Sequence, residues 1–283
     1  KSCIGIETSS AFISTNGRMG KEMTTLLSTD IDDFSRRDLK YNGKTKPVLT
    51  LGESGPAVIV IHEVYGFTPP VARFCRWLAA SGLRVYAPIL LGRPDASNRA
   101  KPSLGLVAGL CVSREFHLFK TGASSPVVEW LRPLAAQAHE ECGGKGVGVV
   151  GMCLTGGFAL SMAVDPVVRV PILSQPSMPV SDHNQIDISP ADLAKVQARI
   201  RDEGLVVRGY RFDGDRLCRP ARFEALQAAL GDGFVGTSIP DSAGNPRGMV
   251  PPHSVFTGDL IDAAGEPTRA AVDEVIAHLK SAL

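Results

Sequence analysis

The stretch 147–159, VGVVGMCLTGGFA, constrains the fold of this chain more than any other. Its first four residues are a short, continuous, β-branched run, which suits a strand buried on both faces of a parallel sheet. The run stops at a glycine, presents Cys153, and restarts as a glycine-led apolar helix. A residue held on such a strand-to-helix turn has a strained backbone, so its neighbours must be small. Gly151, Gly156 and Gly157 supply that room. The N-terminus of the next helix would direct unpaired N–H groups and the positive end of its dipole at the sulfur. That arrangement favours thiolate and makes Leu154 N–H a donor to an oxyanion. The other reading of Cys153 is a small core residue, since free cysteine is among the most buried types. Thr155 stands where such turns usually carry a small residue.

With 283 residues, 44% apolar and 21% charged, the chain is long enough for one large α/β domain with a substantial core. Its formal charge of +1, from 30 basic and 29 acidic residues spread along the chain, leaves no footprint for nucleic acid or an anionic membrane. Small neutral or singly charged ligands fit that balance, and a homo-oligomer is left open. The six cysteines are widely spaced with no CxxC pair, which argues against a zinc site or a disulfide framework and favours a reducing, cytoplasmic setting. No apolar run reaches the length of a membrane span. The start, KSCIGIETSS, has no basic-then-apolar secretory pattern and no initiator Met, so a processed, tagged or incomplete start is open. HExxH and P-loop patterns are missing, so no metal or cofactor is expected.

Residues 1–36, polar and rich in Ser and Thr, read as an extension, and 37–283 as a single domain. Two strands meet at Asn42-Gly43, a pair that favours a tight hairpin. AVIVI (57–61) is the first clearly buried strand, followed by a helix over 69–80 and a strand over 84–91. Residues 92–118 carry Gly, Pro and Ser breaks, as loops over a site often do. Then come a helix over 126–140, the strand leading to Cys153, a strand over 167–173 and a helix over 190–201. A strand over 204–212, a helix over 220–230, a strand over 234–239 and a helix over 268–283 complete the chain. This alternation predicts a mostly parallel, doubly wound α/β sheet whose ligand site lies at the carboxyl ends of the strands.

That rule selects residues. His62-Glu63, Cys153 and the pair Asp213 and Asp215 each follow a predicted strand. A thiol nucleophile needs a base, and the base needs a third group to orient it. His139 and His278 fall on helices, while His117 and His183 fall in loops. His253, in PPHSVF, lies after the last strand and before the final helix. The chain order Cys153, Asp, His253 matches the nucleophile–acid–histidine order of α/β-hydrolases. Asp213 is nearer the strand end, and Asp215 also reads as a residue at a helix start. Both remain open as the acid.

Taken together, VIVIHEVYGF, VGMCLTGGFAL, FDGDRLCRP and PPHSVFT resemble the dienelactone hydrolase family, in order from about residue 37 to the end. The resemblance implies an α/β-hydrolase fold and a triad of Cys153, Asp215 and His253. It also implies that Glu63 pairs with the thiol and that Leu154 and Val64 N–H groups bind the oxyanion. It further implies that Arg93 binds a substrate carboxylate. The family usually reads Cys-Leu-Gly-Gly, where this chain has Thr155 before Gly156. Enzymes of dienelactone itself carry a second arginine just after the histidine, and residues 254–259 contain none. The expected activity is hydrolysis of a lactone or small ester through an acyl-enzyme. The alternatives are a thioesterase or general carboxylesterase with the same triad, and a non-catalytic ligand- or partner-binding protein on this fold.

Overall fold

The computed structural model describes residues 31–92, 125–177, 186 and 188–283. A hairpin opens it: β1 (Ser35–Tyr41) and β2 (Lys44–Leu51) are antiparallel, with Tyr41 opposite Lys44. The two connecting residues, Asn42 and Gly43, both have positive φ (50° and 77°), which matches the turn to the twist of the strands. Ahead of β1, Phe34 is buried in the core and Asp33 pairs with Arg76 at 2.7 Å. Packing therefore reaches a few residues before position 37.

Next come β3 (Ala57–Ile61), helix α1 (Pro69–Ala80), β4 (Arg84–Pro88), α2 (Pro126–Cys142) and β5 (Val147–Met152). A 3-10 turn (Cys153–Thr155) leads into the short helix α3 (Gly156–Met162), followed by β6 (Val168–Ser174) and α4 (Pro190–Glu203). The chain closes with β7 (Val207–Phe212), α5 (Pro220–Leu230), β8 (Phe234–Ile239) and α6 (Pro267–Ala282). The eight strands form one sheet in the order β1-β2-β4-β3-β5-β6-β7-β8. β2 joins both of its neighbours antiparallel, and every pairing from β4 to β8 is parallel.

Side chains alternate across this sheet and feed two cores. Val58 and Val60 of β3, with Val150 and Met152 of β5, pack on the face covered by α1 and α6. Ala57, Ile59 and Ile61, with Val147 and Val149, pack on the face of α2 to α5. All five β3 residues are fully buried, at roughly 1.5–3 kcal/mol for each large aliphatic side chain. Covered on both faces, β3 and β5 read as continuous apolar runs rather than alternating ones.

Two strand boundaries differ from the sequence reading by three residues. β4 ends at Pro88, not at residue 91: Ile89 N–H still bonds Pro47 O of β2 at 2.8 Å, but Leu90 N–H turns away to His62 Nε2 at 3.0 Å. β7 starts at Val207, not at 204. Gly204 caps α4 in the left-handed region, and Leu205 N–H closes onto Arg199 O, which uses up the residues between helix and strand.

Candidate active site

From β3 the chain winds to β4 on one side and later returns to place β5 on the other side of β3. The strand order therefore reverses between β3 and β5, and a crevice opens outside their carboxyl ends. His62-Glu63 follow β3 and Cys153 follows β5. Asp215 follows β7, and His253 lies between β8 and α6. All reach the same edge.

Cys153 sits at the tip of its turn with φ 57°, one of three non-glycine residues with positive φ among the described residues. Such a conformation costs of order 1–3 kcal/mol and persists only where the surroundings hold it. Here they do. A Cβ on Gly151 would lie 2.2 Å from Thr155 O, and one on Gly156 would lie 2.8 Å from Pro176 Cα, so both glycines are required by close approach. Cys153 O accepts from Ser177 N at 3.0 Å. Thr155, the residue that departs from the small-residue pattern, is fully buried. Its Oγ1 accepts from Met152 N at 2.8 Å and lies 2.9 Å from both Ile61 O and Met152 O, with His62 O at 3.3 Å. The larger side chain is thus built into the turn, and α3 starts only after it, at Gly156.

His253 is buried, and its Nδ1 lies 2.7 Å from Asp215 Oδ2. An ionised carboxylate only accepts, so Nδ1 carries the proton. The other oxygen of Asp215 accepts from Leu217 N at 2.8 Å and Cys218 N at 3.1 Å, which fixes the carboxylate in its own turn. Asp213 is exposed and offers its backbone carbonyl to the buried Arg211 at 2.6 Å. The histidine loop hangs on Asp259, a buried residue that sequence reasoning passed over. Its Oδ2 accepts from His253 N (2.7 Å) and Ser254 N (2.8 Å), and its Oδ1 from Met249 N (2.6 Å). The signal was a single Asp six residues after the histidine, in TGD, which reads equally well as a turn.

Among the described residues the buried His253 Nε2 has no hydrogen-bond partner of good geometry, and the Cys153 thiol lies beside the ring. Burial opposes a charged imidazole. The negative charge available at Cys153 and the bond to Asp215 outweigh it, raising the His253 pKa well above its ordinary value.

Glu63 is buried, and burial raises its pKa against the opposing pull of His253, Thr257 and Ser254. Its Oε1 accepts from Gln175 Nε2 at 2.9 Å and Thr257 Oγ1 at 2.8 Å. These donors to Glu63 are neutral groups rather than the thiol. Gln175, with φ 36°, also accepts from Val255 N at 3.3 Å and from Ser174 Oγ, tying β6 to the histidine loop. Nothing in the run SQPS singled it out in advance. Val64 is half-buried at the turn after β3, Leu154 is buried within the 3-10 turn, and Arg93 lies outside the described residues. His62 points away from this group. Its Nε2 accepts from Leu90 N, so its Nδ1 donates to Glu63 O at 2.7 Å, and burial pushes its pKa down to about 4.

Among the described residues, no three or more His, Cys, Asp and Glu side chains converge as a metal site would require. No described helix is long and apolar enough to cross a membrane. A thiol beside an imidazole that is held by a carboxylate can pass one proton between sulfur and an oxygen leaving group, which is the chemistry of acyl transfer.

The fold is shared with several solved hydrolases. A Klebsiella pneumoniae protein assigned as a dienelactone hydrolase superposes with a TM-score of 0.58 at 15% identity, covering 86% of this chain and 98% of its own. An esterase from Pyrobaculum calidifontis gives 0.56 at 15% identity, over 94% and 92%. A thioesterase domain from the curacin biosynthetic pathway gives 0.51 at 11%, over 86% and 99%. No curated protein matches the chain significantly. The model of the dienelactone hydrolase family matches residues 46–191, a span that holds Glu63 and Cys153. That match takes in just over half of the chain, on an α/β-hydrolase sheet, and the chain therefore belongs to the dienelactone hydrolase family, hydrolases that act on ester bonds.

Proposed function

We propose that this protein hydrolyses a lactone or small ester with Cys153 as nucleophile, His253 as general base and acid, and Asp215 as the group that orients the imidazole. The observation that carries the reading is the 2.7 Å bond from His253 Nδ1 to Asp215, with the Cys153 thiol beside the same ring on a left-handed turn. The thiol proton passes to His253 Nε2, and the thiolate attacks the acyl carbon to form a C–S bond. The carbonyl oxygen becomes an oxyanion held by Leu154 and Val64 N–H. The C–O bond to the leaving group breaks as that oxygen takes the proton from His253. Water, deprotonated by His253, then attacks the thioester. The C–S bond breaks, and the acid product leaves with the site restored. For a lactone, acid and alcohol leave as one molecule.

Replacing Cys153 by Ala should reduce turnover of a simple aryl ester by at least about a thousandfold, given the usual cost of losing a triad member, with the fold intact by circular dichroism. Retained turnover would reject the assignment.

One observation favours a general carboxylesterase or thioesterase over an enzyme of dienelactone itself. Residues 254–259 hold no cation for a substrate carboxylate, and Thr257 there donates to Glu63 instead. A panel of anionic lactones, neutral aryl esters and acyl thioesters separates these readings by kcat/KM. A ligand-binding protein without activity would leave the thiol inert to iodoacetamide at neutral pH. The four described cysteines are all free thiols, which supports a reducing, cytoplasmic compartment.

A further inference from the structure

The acyl-transfer steps leave Thr155 without a part, although it is the most heavily bonded side chain of the turn. We propose that Thr155 is a positioning residue that sets the separation of the two oxyanion donors, Leu154 N–H and Val64 N–H. The inference rests on the reading of Cys153 as an acyl-transfer nucleophile.

The parallel ladder between β3 and β5 ends at the pair Ile61 and Gly151. Beyond it the strands part, β3 toward Glu63-Val64 and β5 toward Met152-Cys153. At this fork the Thr155 hydroxyl takes the Met152 N–H at 2.8 Å and has one proton to give, with Ile61 O of β3 and Met152 O of its own turn both at 2.9 Å and His62 O at 3.3 Å. Given to Ile61 O, that proton makes one buried atom the tie between the end of β5 and the end of β3. Leu154 immediately precedes Thr155, and Val64 comes two residues after His62, so each donor is a short, stiff length of backbone from that tie. The turn is also closely packed on its other side, where a Cβ on Gly151 would come within 2.2 Å of Thr155 O. A glycine or alanine at 155 would leave the two strand ends without that tie. An oxyanion is stabilised only by donors at about 2.7–3.1 Å from its final position, so a displacement of one donor acts on the transition state and not on the bound ester.

The test compares Thr155→Val, which keeps the shape and deletes the hydroxyl, with Thr155→Ser, which keeps the hydroxyl, in the full chain. Three readouts are taken: kcat and KM on an aryl ester, inhibition by an aryl trifluoromethyl ketone whose adduct with the thiol carries an oxyanion, and the pH profile of Cys153 alkylation by iodoacetamide, which forms none. Thr155→Val should lower kcat about 30- to 100-fold, the range expected for a misplaced oxyanion donor, with KM within about threefold. Inhibition by the ketone should weaken in parallel, while alkylation keeps its rate and profile. Thr155→Ser should restore kcat to within about threefold. If kcat is kept in Thr155→Val, or if alkylation falls in step with kcat, the positioning role is overturned. Should that variant fail to fold, Thr155→Gly is measured in the same three ways, and the same results support or overturn the role. Slow alkylation of the unaltered Cys153 would overturn the thiolate reading itself, and the role of Thr155 with it.

Discussion

Asp215 divides its carboxylate between two tasks, one oxygen on His253 and the other on the amides of its own turn. Asp213, two residues earlier, is exposed and is held through its backbone, its N–H on Ile239 O and its carbonyl on Arg211. Asp215→Asn should therefore lower kcat by roughly 10³- to 10⁴-fold through loss of the correct tautomer, while Asp213→Asn stays within about twofold. Steady-state kinetics on one aryl ester separates the two, and equal losses would remove the distinction. Glu63 invites a different experiment. Burial raises its pKa, the direction that suits a base receiving a thiol proton, yet its Oε1 is occupied by Gln175 and Thr257. If Glu63 leaves those partners to help form thiolate, Glu63→Gln should slow acylation and shift the pH dependence of thiol alkylation. Superimposable alkylation profiles would confine Glu63 to holding Gln175 and Thr257.

At the scale of elements, the elbow depends on how closely α3 passes the end of β6. A methyl group on residue 156 would meet Pro176 Cβ at 2.7 Å and Cα at 2.8 Å, neither of which belongs to a flexible side chain. Gly156→Ala should destabilise the protein by about 1–3 kcal/mol, read as a lower urea midpoint at unchanged slope. The same shift disturbs Ser177, whose amide holds Cys153 O, so activity should fall alongside stability. The elements themselves were largely legible, because runs such as AVIVI and VGVV, Pro at helix starts and Gly at helix ends are local signals. The boundaries of β4 and β7 were not. β4 stops where His62 captures the amide of Leu90 from 28 residues away, and β7 starts late because Gly204 and Leu205 are spent on closing α4.

Across the whole molecule, the same His62 couples the sheet to acid. It is fully buried and neutral, clamped between β3 and the residues after β4, with its pKa pushed down to about 4 from 6.5 by burial. The unfolded chain therefore takes up a proton there between pH 6.5 and 4 that the folded chain refuses. The stability associated with His62 is present above pH 6.5 and is lost as pH falls through 4, by about 3 kcal/mol in total. Urea unfolding at about pH 7 and about pH 4.5 should show that loss, and His62→Gln should flatten it. An equal decline in the variant would place the acid sensitivity elsewhere. Glu63 acts in the opposite sense: its raised pKa favours the fold at low pH and costs stability as pH rises through it, so Glu63→Gln should gain relative stability toward neutral pH.

The sequence by itself determined the class of the fold, the chain order of the candidate triad and the turn that presents Cys153. Each of these is written in patterns a few residues long: the two-residue period of a strand, a buried apolar run, small residues around a turn. Tertiary structure alone decided which aspartate meets His253, what holds Glu63, and why a threonine belongs at position 155. Those partners lie 38, 112, 194 and 94 residues apart for His253–Asp215, Glu63–Gln175, Glu63–Thr257 and Thr155–Ile61. Only the strand order of the sheet, with its reversal between β3 and β5, brings such distant groups to one edge.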